Sequence, residues 1–281
     1  MPKRSTTGGQ PWAAPSFRSR ARLRLARARL RGIDLTSQVA LWLIAIVVGV
    51  ATGYAITLFR AAIPFLQALF YGASDQIIHS VAASLPWYLV LPVPVLGGLA
   101  VGLILHVMTP DAKARGVADV IEAASLRGGR VERRAGIASA LAALVTLSSG
   151  GSTGREGPAV HLGAVIASWV SDRLKAPDVA ARDILGCAAA AAVSASFNAP
   201  LAGTLFALEV VLRHYALHAF GPIVIASVAA AVVSRIHLGN VTEYILPIHS
   251  MGFYQGMPSF ILLGIVSGLV ADRLGGVKTL L

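Results

Sequence analysis

Apolar residues follow one another in long runs along most of this chain. Residues 38–59 form a run long enough to cross a bilayer as a helix, and residues 61–71 can extend that helix at a tilt. Further long runs cover residues 219–236 and 260–270. The pattern predicts an all-α protein with several membrane-spanning helices.

Shorter and interrupted apolar segments lie between these runs. Residues 85–108 contain three prolines, which predict a kinked helix or one that begins only after Pro94. Residues 135–147 are too few to cross a hydrocarbon core of about 30 Å at a rise of about 1.5 Å per residue. Other short runs follow at 159–170, 184–196 and 200–211. Short helices separated by Gly, Ser and Asn-Ala-Pro are typical of the discontinuous helices that line a transport site.

Composition and charge also indicate a membrane protein. Of the 281 residues 56% are hydrophobic and 13% are charged, whereas soluble domains carry about 25% charged residues. Nine of the 24 basic residues precede Asp34, with no acidic residue among them. Such an excess next to an apolar run marks a cytoplasmic segment. We therefore expect a multi-pass protein of the inner (plasma) membrane whose cytoplasmic N-terminus contacts anionic lipid at most, and no nucleic acid.

The sequence divides into a basic cytoplasmic segment, residues 1–37, and a transmembrane domain, residues 38–281. The basic segment lacks the short apolar core and small-residue cleavage site of a signal peptide, so we expect it to be retained. Within the transmembrane domain, residues 109–134 are rich in charge. They predict a cytoplasmic connector with a short helix near residues 117–126.

The sequence offers few candidates for a cofactor, a metal or catalysis. Cys187 is the single cysteine and has no partner. His214 and His218 lie four residues apart and can share a helix face, but a zinc site needs further ligands. The glycines of 97–102 favour close helix packing, a structural role. We expect no cofactor, no metal and no enzymatic activity.

One polar segment between two apolar runs is the strongest candidate for a functional site. Residues 148–153 cannot continue a helix, whereas a proline suits the first turn of a new one, so a helix is predicted to begin inside the membrane. Its first amides lack intrahelical partners, and its dipole places about half a positive charge there, so this end can hold an anion. The residues of this start are Gly154, Arg155, Glu156, Gly157 and Pro158.

Residues 151–158 and a second block, residues 197–203 continuing to Glu209, resemble the CLC family of chloride channels and chloride/proton antiporters. The resemblance implies two inverted repeats with the anion site at their junction, and a homodimer in the lipid bilayer with one pore per subunit. It implies transport of chloride or a similar small anion, of the voltage-gated channel type. Only the first repeat and the start of the second match, so we expect a truncated CLC-like domain.

The resemblance assigns roles at the helix start. Glu156 matches the gating glutamate, whose carboxylate occupies the anion site until it is protonated or displaced. Two like charges about 4 Å apart repel by roughly 4 kcal/mol at an effective dielectric of 20, so carboxylate and chloride should not share the site. The alternative is an Arg155–Glu156 ion pair that neutralises itself. The expected anion-binding residues here are Gly154, Arg155, Gly157 and Pro158.

A second anion-binding segment follows from the resemblance. Residues 114–119 match the family's Gly-Ser-Gly-Ile-Pro-Glu, with Arg115 at the serine position and Ala118 at the proline. Either Arg115 brings a positive charge to the intracellular mouth, or it points to the cytosol while the amides of Gly116 and Val117 bind the ion. Both alternatives leave the preferred anion open.

The resemblance also bears on proton coupling. Glu209 matches a glutamate near the intracellular end of its helix, and the next position, a proton-accepting glutamate in the family's antiporters, is Val210 here. A valine cannot relay protons. This favours a passive channel over an antiporter, unless Glu209 or water substitutes. Glu209 can also be a snorkelling charge near Arg213, and a non-conducting membrane subunit is a further alternative.

Overall fold

The computed structural model describes residues 38–72, 86–213, 215–239 and 253–278, and these residues form helices and loops without a β-strand. The predicted N-terminal segment, residues 1–37, lies outside the described residues. The helices are α1 (Gln38–Tyr71), α2 (Trp87–Val90), α3 (Pro92–Met108), α4 (Val117–Leu126), α5 (Arg133–Ser148), α6 (Glu156–Leu174), α7 (Asp178–Phe197), α8 (Pro200–Phe206), α9 (Leu217–Leu238) and α10 (Phe253–Lys278), and a π-helical segment, Ala207–Leu212, follows α8.

The chain divides into two compact units, one ending at Val241 and one beginning at Thr242. The first unit contains α1 to α9, and the second contains α10, a helix of 26 residues with Pro258 inside it. Within the described residues, α1, α7 and most of α9 are long and apolar enough to cross a membrane. The prediction of several spanning helices is thus confirmed.

Helix α1 confirms the predicted extension, because its 34 residues run through Pro64 without a break. Helix α4 covers the predicted residues 117–126. The prediction for α7 was wrong, since the apolar piece 184–196 is only the C-terminal part of a 20-residue helix. Its first turns carry Asp178 and Asp183, which interrupt the apolar pattern without ending the helix.

Helix α3 excludes one of the two alternatives predicted for residues 85–108, a helix that begins only after Pro94. Its first residue is Pro92, so the helix begins before Pro94, and the break falls at Leu91 after the four-residue α2. Both prolines lie in the first turn, where the missing N–H has no intrahelical partner to lose. The prolines therefore start this helix rather than delay it.

Helix α7 lies at the centre of the first unit. Its apolar window is 89% buried, and Ala188 to Ala192 are buried completely. Small side chains let the neighbouring backbones come close: a Cβ on Gly203 of α8 would stand 2.6 Å from the carbonyl oxygen of Ala190. A glycine also lets α6 pack closely against α7, where a Cβ on Gly163 would stand 2.8 Å from the oxygen of Ala188. Membrane helices pack through such small residues.

Helices α1 and α9 pack through a second glycine contact. A Cβ on Gly49 would stand 2.5 Å from the carbonyl oxygen of Ala226, and one on Gly53 would stand 3.0 Å from Cα of Ala230. The two glycines form a Gly-x-x-x-Gly step that places both on one helix face. The glycines of α3, which we expected to pack closely against another helix, do so only in part. Gly97 contacts Ser149, whereas the Gly98 and Gly102 positions face open space.

Candidate functional site

Helix α6 begins at Glu156 with Arg155 as its N-cap, which confirms a helix start within residues 154–158. Glu156 is exposed, whereas Gly157 and Pro158 are partly buried. The carboxylate of Glu156 turns back over the preceding loop, since a Cβ on Gly154 would stand 3.1 Å from its Oε2. Among the residues that the structure describes, Glu156 makes no hydrogen bond or ion pair, with Arg155 or any other group. Its carboxylate is therefore available to move.

The starts of α4 and α6 meet at a glycine. A Cβ on Gly157 would stand 3.6 Å from Cα of Gly116 and 4.0 Å from the amide nitrogen of Val117. Two of the segments that the sequence assigned to anion binding are thus adjacent in space, although about 40 residues separate them along the chain. Each contributes the positive end of a helix dipole to the junction.

Side chains of the same unit already occupy two amides at the start of α4. The Gly116 N–H donates to Oδ2 of Asp119 at 2.8 Å, and the Arg115 N–H donates to Oγ of Ser139 at 2.7 Å. Asp119 lies at the third position of α4 and closes its first turn in this way. The amides of Gly116 and Val117 were both expected to bind the ion. The Gly116 amide is already bonded to Asp119, and the Val117 amide is the one that lies beside α6.

The guanidinium of Arg115 is surrounded by acids. Its nitrogens lie 3.2 Å from Asp111, 3.4 Å from Asp119 and 3.8 Å from Glu132. The side chain is 21% exposed. Its charge is balanced by these carboxylates, so in this arrangement Arg115 neither extends freely into solvent nor presents an uncompensated charge to the helix junction.

His161 is a site residue that sequence reasoning did not single out. It is buried, its Nδ1 lies 3.4 Å from the carbonyl oxygen of Gly116, and this contact ties α6 to the start of α4. A Cβ on Gly136 of α5 would stand 3.0 Å from its Nε2, so glycine there makes room for the ring. Arg115 and Asp119 join His161 around a cavity of about 10 Å³. The one sequence signal is a polar residue five positions after Glu156.

Helix α1 carries a polar stripe that the sequence analysis also missed. Arg60 donates to the oxygen of Ala195 at 3.1 Å, Gln67 donates to that of Leu147 at 3.3 Å, and Tyr71 donates to that of Ser149 at 2.8 Å. Residues 60, 67 and 71 share one helix face. The stripe satisfies carbonyl groups where α5 and α7 end, which a broken helix in lipid requires.

The break between α7 and α8 is closed by serines of α9. Asn198 ends α7 in the left-handed conformation, with φ of 55°. Ser227 donates to the oxygen of Pro200 at 2.7 Å, and Ser234 donates to that of Ala195 at 3.0 Å. In the opposite direction, Ser194 donates to the oxygen of Ser227 at 2.7 Å. These bonds allow the chain to change direction within an apolar unit.

Glu209 and Val210 lie in the π-helical segment. Glu209 is exposed and Val210 is partly buried. No hydrogen bond or ion pair joins Glu209 to Arg213, or to any other residue that the structure describes. The structure therefore shows these two residues on the continuation of α8, in a segment that packs against α4.

A cluster of charges holds the opposite end of α6. Arg130 donates to Asp178 at 2.7 Å, to Asp172 at 3.2 Å and to the oxygen of Ala176 at 2.7 Å. The hydrogen bond with Asp178 raises the pKa of Arg130, and Asp172 adds to the effect. The cluster fixes the charged connector against the turn between α6 and α7.

Comparison with known protein families agrees with this arrangement of broken helices around a junction. A family model described as "Voltage gated chloride channel" matches residues 97–274. The chain belongs to this family, the CLC family. The match begins in α3 and ends in α10, and it includes both segments of the helix junction.

Sequence and fold similarity to individual CLC proteins supports this assignment. The voltage-gated ClC-type chloride channel ClcB of Escherichia coli is 36% identical over 197 residues, which are 69% of this chain and 46% of that protein. A slow cyanobacterial Cl⁻/H⁺ antiporter shares the fold at a TM-score of 0.68 and 23% identity, covering 82% of this chain and 54% of that one. A CLC-type fluoride/proton antiporter gives a TM-score of 0.65 at 26% identity, covering 85% and 57%.

These comparisons confirm the predicted CLC-like, all-α membrane fold over the part of the family that the chain covers. The chain spans about half the length of the relatives that it matches. It is an integral membrane CLC protein with several apolar helices.

Proposed function

We propose that this chain takes part in the transmembrane transport of chloride or a similar small anion, as a CLC protein of the voltage-gated channel type. The observation that carries the proposal is the contact between the starts of α4 and α6 at Gly157. The anion binds at this junction, to the backbone amides of Val117 and residues 154–157, while the Gly116 amide stays bonded to Asp119. Glu156 is the gate.

The electrostatics of the junction support an anion. Two helix N-termini contribute partial positive charge, worth about 0.3–1 kcal/mol each for an exposed anion and up to about 2 kcal/mol when it is partly buried. Arg155, the N-cap of α6, adds a positive charge beside the junction. An exposed Glu156 carboxylate can compensate the same charges when chloride is absent.

The proposed occupant needs the space that glycine leaves. Gly157→Val is expected to lower chloride affinity about 10-fold or more, because a branched side chain displaces the ion from amides whose hydrogen bonds to a charged group contribute about 1.5–3 kcal/mol. Chloride titration of the purified protein by calorimetry measures this loss. Gly157→Ala is the matched control, since its Cβ would make only an ordinary 3.6 Å contact. Equal affinity in the valine variant would exclude the junction as the binding site.

Transport is proposed to be passive, because Val210 offers no proton acceptor. A chloride gradient across proteoliposomes is then expected to drive no uphill proton movement, with pH recorded by a trapped dye. The cyanobacterial antiporter serves as the positive control. Stoichiometric proton pumping would overturn this prediction and favour the second candidate function, chloride/proton antiport, which the fold of two antiporters supports.

Because the chain spans about half of its relatives, flux is measured in two preparations. One contains the 281-residue chain alone, and the other contains it co-expressed with the C-terminal half of the Escherichia coli relative. Flux in either preparation supports a transporter. Absence of flux in both, with the protein folded, would favour a non-conducting membrane subunit.

The remaining properties are proposed on the family resemblance and, for the N-terminus, on the basic residues that precede Asp34. We infer a homodimer in the inner membrane with a cytoplasmic N-terminus. Photobleaching of single labelled complexes in bilayers is expected to show two steps. Protease added outside intact cells should leave residues 1–37 uncut, and cleavage there would reverse the assigned orientation.

A further inference from the structure

A pocket far along the chain from the proposed gate lies between the end of α3 and the start of α5. It encloses about 610 Å³ and opens to the surface. His106 of α3 and Thr109, which follows the end of that helix, line one side, and Arg133, Arg134 and Ala135 line the other from the first turn of α5. The helix junction at Gly157 contributes none of these residues.

The first turn of α5 supplies amide donors that make no hydrogen bond among the described residues. The amides of residues 133–135 precede the first intrahelical bond, which joins the Gly136 N–H to the oxygen of Glu132 at 3.0 Å. Glu132 is the N-cap but makes no capping hydrogen bond, and the first turn contains no acidic side chain. The positive end of the α5 dipole is thus uncompensated by its own helix.

A second, independent observation concerns a side chain in the wall of the same pocket. Thr109 is only 3% exposed, lines the pocket, and its Oγ1 has no hydrogen-bond partner among the described residues. A buried hydroxyl without a partner costs about 1–3 kcal/mol. A ligand that accepts a hydrogen bond from Thr109 would recover this cost.

The charges around the pocket favour a negative ligand. Arg134 donates one bond to the oxygen of Val107 at 3.0 Å, and Arg133 pairs with Asp172 at 3.2 Å, so both guanidinium groups are held in place with donors to spare. The acid of the pocket, Glu132, is engaged by Arg127 at 3.6 Å and Arg115 at 3.8 Å.

An apolar strip leads to this charged pocket along α3. Leu96, Leu99, Leu103 and Val107 lie on one helix face and are between 59% and 68% exposed. The Gly98 and Gly102 positions also face open space. The strip ends where the charged connector begins, which is the arrangement of a membrane surface boundary.

We propose that this α3–α5 pocket binds the phosphate group of an anionic phospholipid, whose acyl chains lie along the α3 strip. Residues 133–135 donate backbone amides to the phosphate, Arg133 and Arg134 neutralise it, and Thr109 donates its hydroxyl. Clustered basic residues next to a membrane helix recognise lipid headgroups in this way. The strip selects a lipid over free phosphate, because free phosphate has no apolar part to bury.

The test uses the purified, delipidated full chain in detergent. Native mass spectrometry titrates it with dioleoylphosphatidylglycerol, dioleoylphosphatidylcholine and inorganic phosphate. The wild type is expected to retain phosphatidylglycerol preferentially. Arg134→Gln and Thr109→Val should each weaken that binding, the first about 10-fold. Arg134→Lys should restore most of it, and Lys113→Gln, which removes one exposed charge from the same connector, should leave it unchanged.

Three outcomes would overturn the proposal. Equal retention of the anionic and zwitterionic lipids would show that no phosphate-selective site exists. Full competition by millimolar inorganic phosphate would identify a free anion as the ligand. An equal loss of phosphatidylglycerol binding in Lys113→Gln and Arg134→Gln would show that binding depends on net charge alone. Melting temperatures of all variants ensure that lost binding is not lost folding.

Discussion

Replacing Glu156 with glutamine is expected to abolish most of the pH dependence of anion flux through this protein. The substitution keeps the shape of the side chain and removes its charge permanently, as protonation does. The carboxylate is exposed and makes no ion pair in the described part of the chain, so few other contacts are lost. Chloride efflux from proteoliposomes over a range of pH measures the change, in the preparation that conducts.

Glu122→Gln is the control for this experiment. Glu122 is an exposed glutamate on α4 that pairs with Arg127 at 2.8 Å, at the other end of the helix from the junction. Its loss should leave the pH profile intact. Superimposable profiles for the wild type and Glu156→Gln would exclude Glu156 as the gate, and an equal change in Glu122→Gln would point to a general charge effect.

Gly49→Ala is expected to produce the largest loss of stability among single-methyl changes. The new Cβ would lie 2.5 Å from the oxygen of Ala226 and 2.8 Å from its Cα, and both atoms belong to backbone that cannot turn aside. Helices α1 and α9 must separate locally. Overpacking of this kind costs about 1–3 kcal/mol. The melting temperature in detergent, followed by tryptophan fluorescence to which Trp42 on α1 contributes, measures it.

Gly102→Ala is the matched control, because a Cβ there meets nothing within 4 Å. In α3 alanine should be neutral or stabilising, since it favours a helix over glycine by about 1 kcal/mol. A melting temperature for Gly49→Ala that equals that of Gly102→Ala would show that α1 and α9 do not pack through this glycine. The Gly49 variant should also transport poorly, because Arg60 of α1 supports the end of α7.

Local signals in the sequence were sufficient to locate the starts of individual helices. Pro158 and the polar residues before it predicted a start within 154–158, and α6 begins at Glu156. The short helix near 117–126 was predicted with its observed bounds. A helix start depends on residues within one turn, so neighbours in the chain carry enough information. The same reasoning failed for α7, whose first turns are charged because they reach the Arg130 cluster.

The sequence by itself determined the membrane class, the all-α fold and the helix start at residues 154–158, since hydrophobic runs and helix breaks are local properties. The role of the second segment, residues 114–119, followed from the resemblance to CLC proteins. Tertiary structure alone decided what those segments meet. The carboxylates around Arg115, the bond between His161 and Gly116 and the link from Arg60 to Ala195 join distant parts of the chain. Such contacts depend on how closely the helices approach one another. That distance is set by glycines and alanines, and the sequence of one helix does not show which face of another helix they will contact.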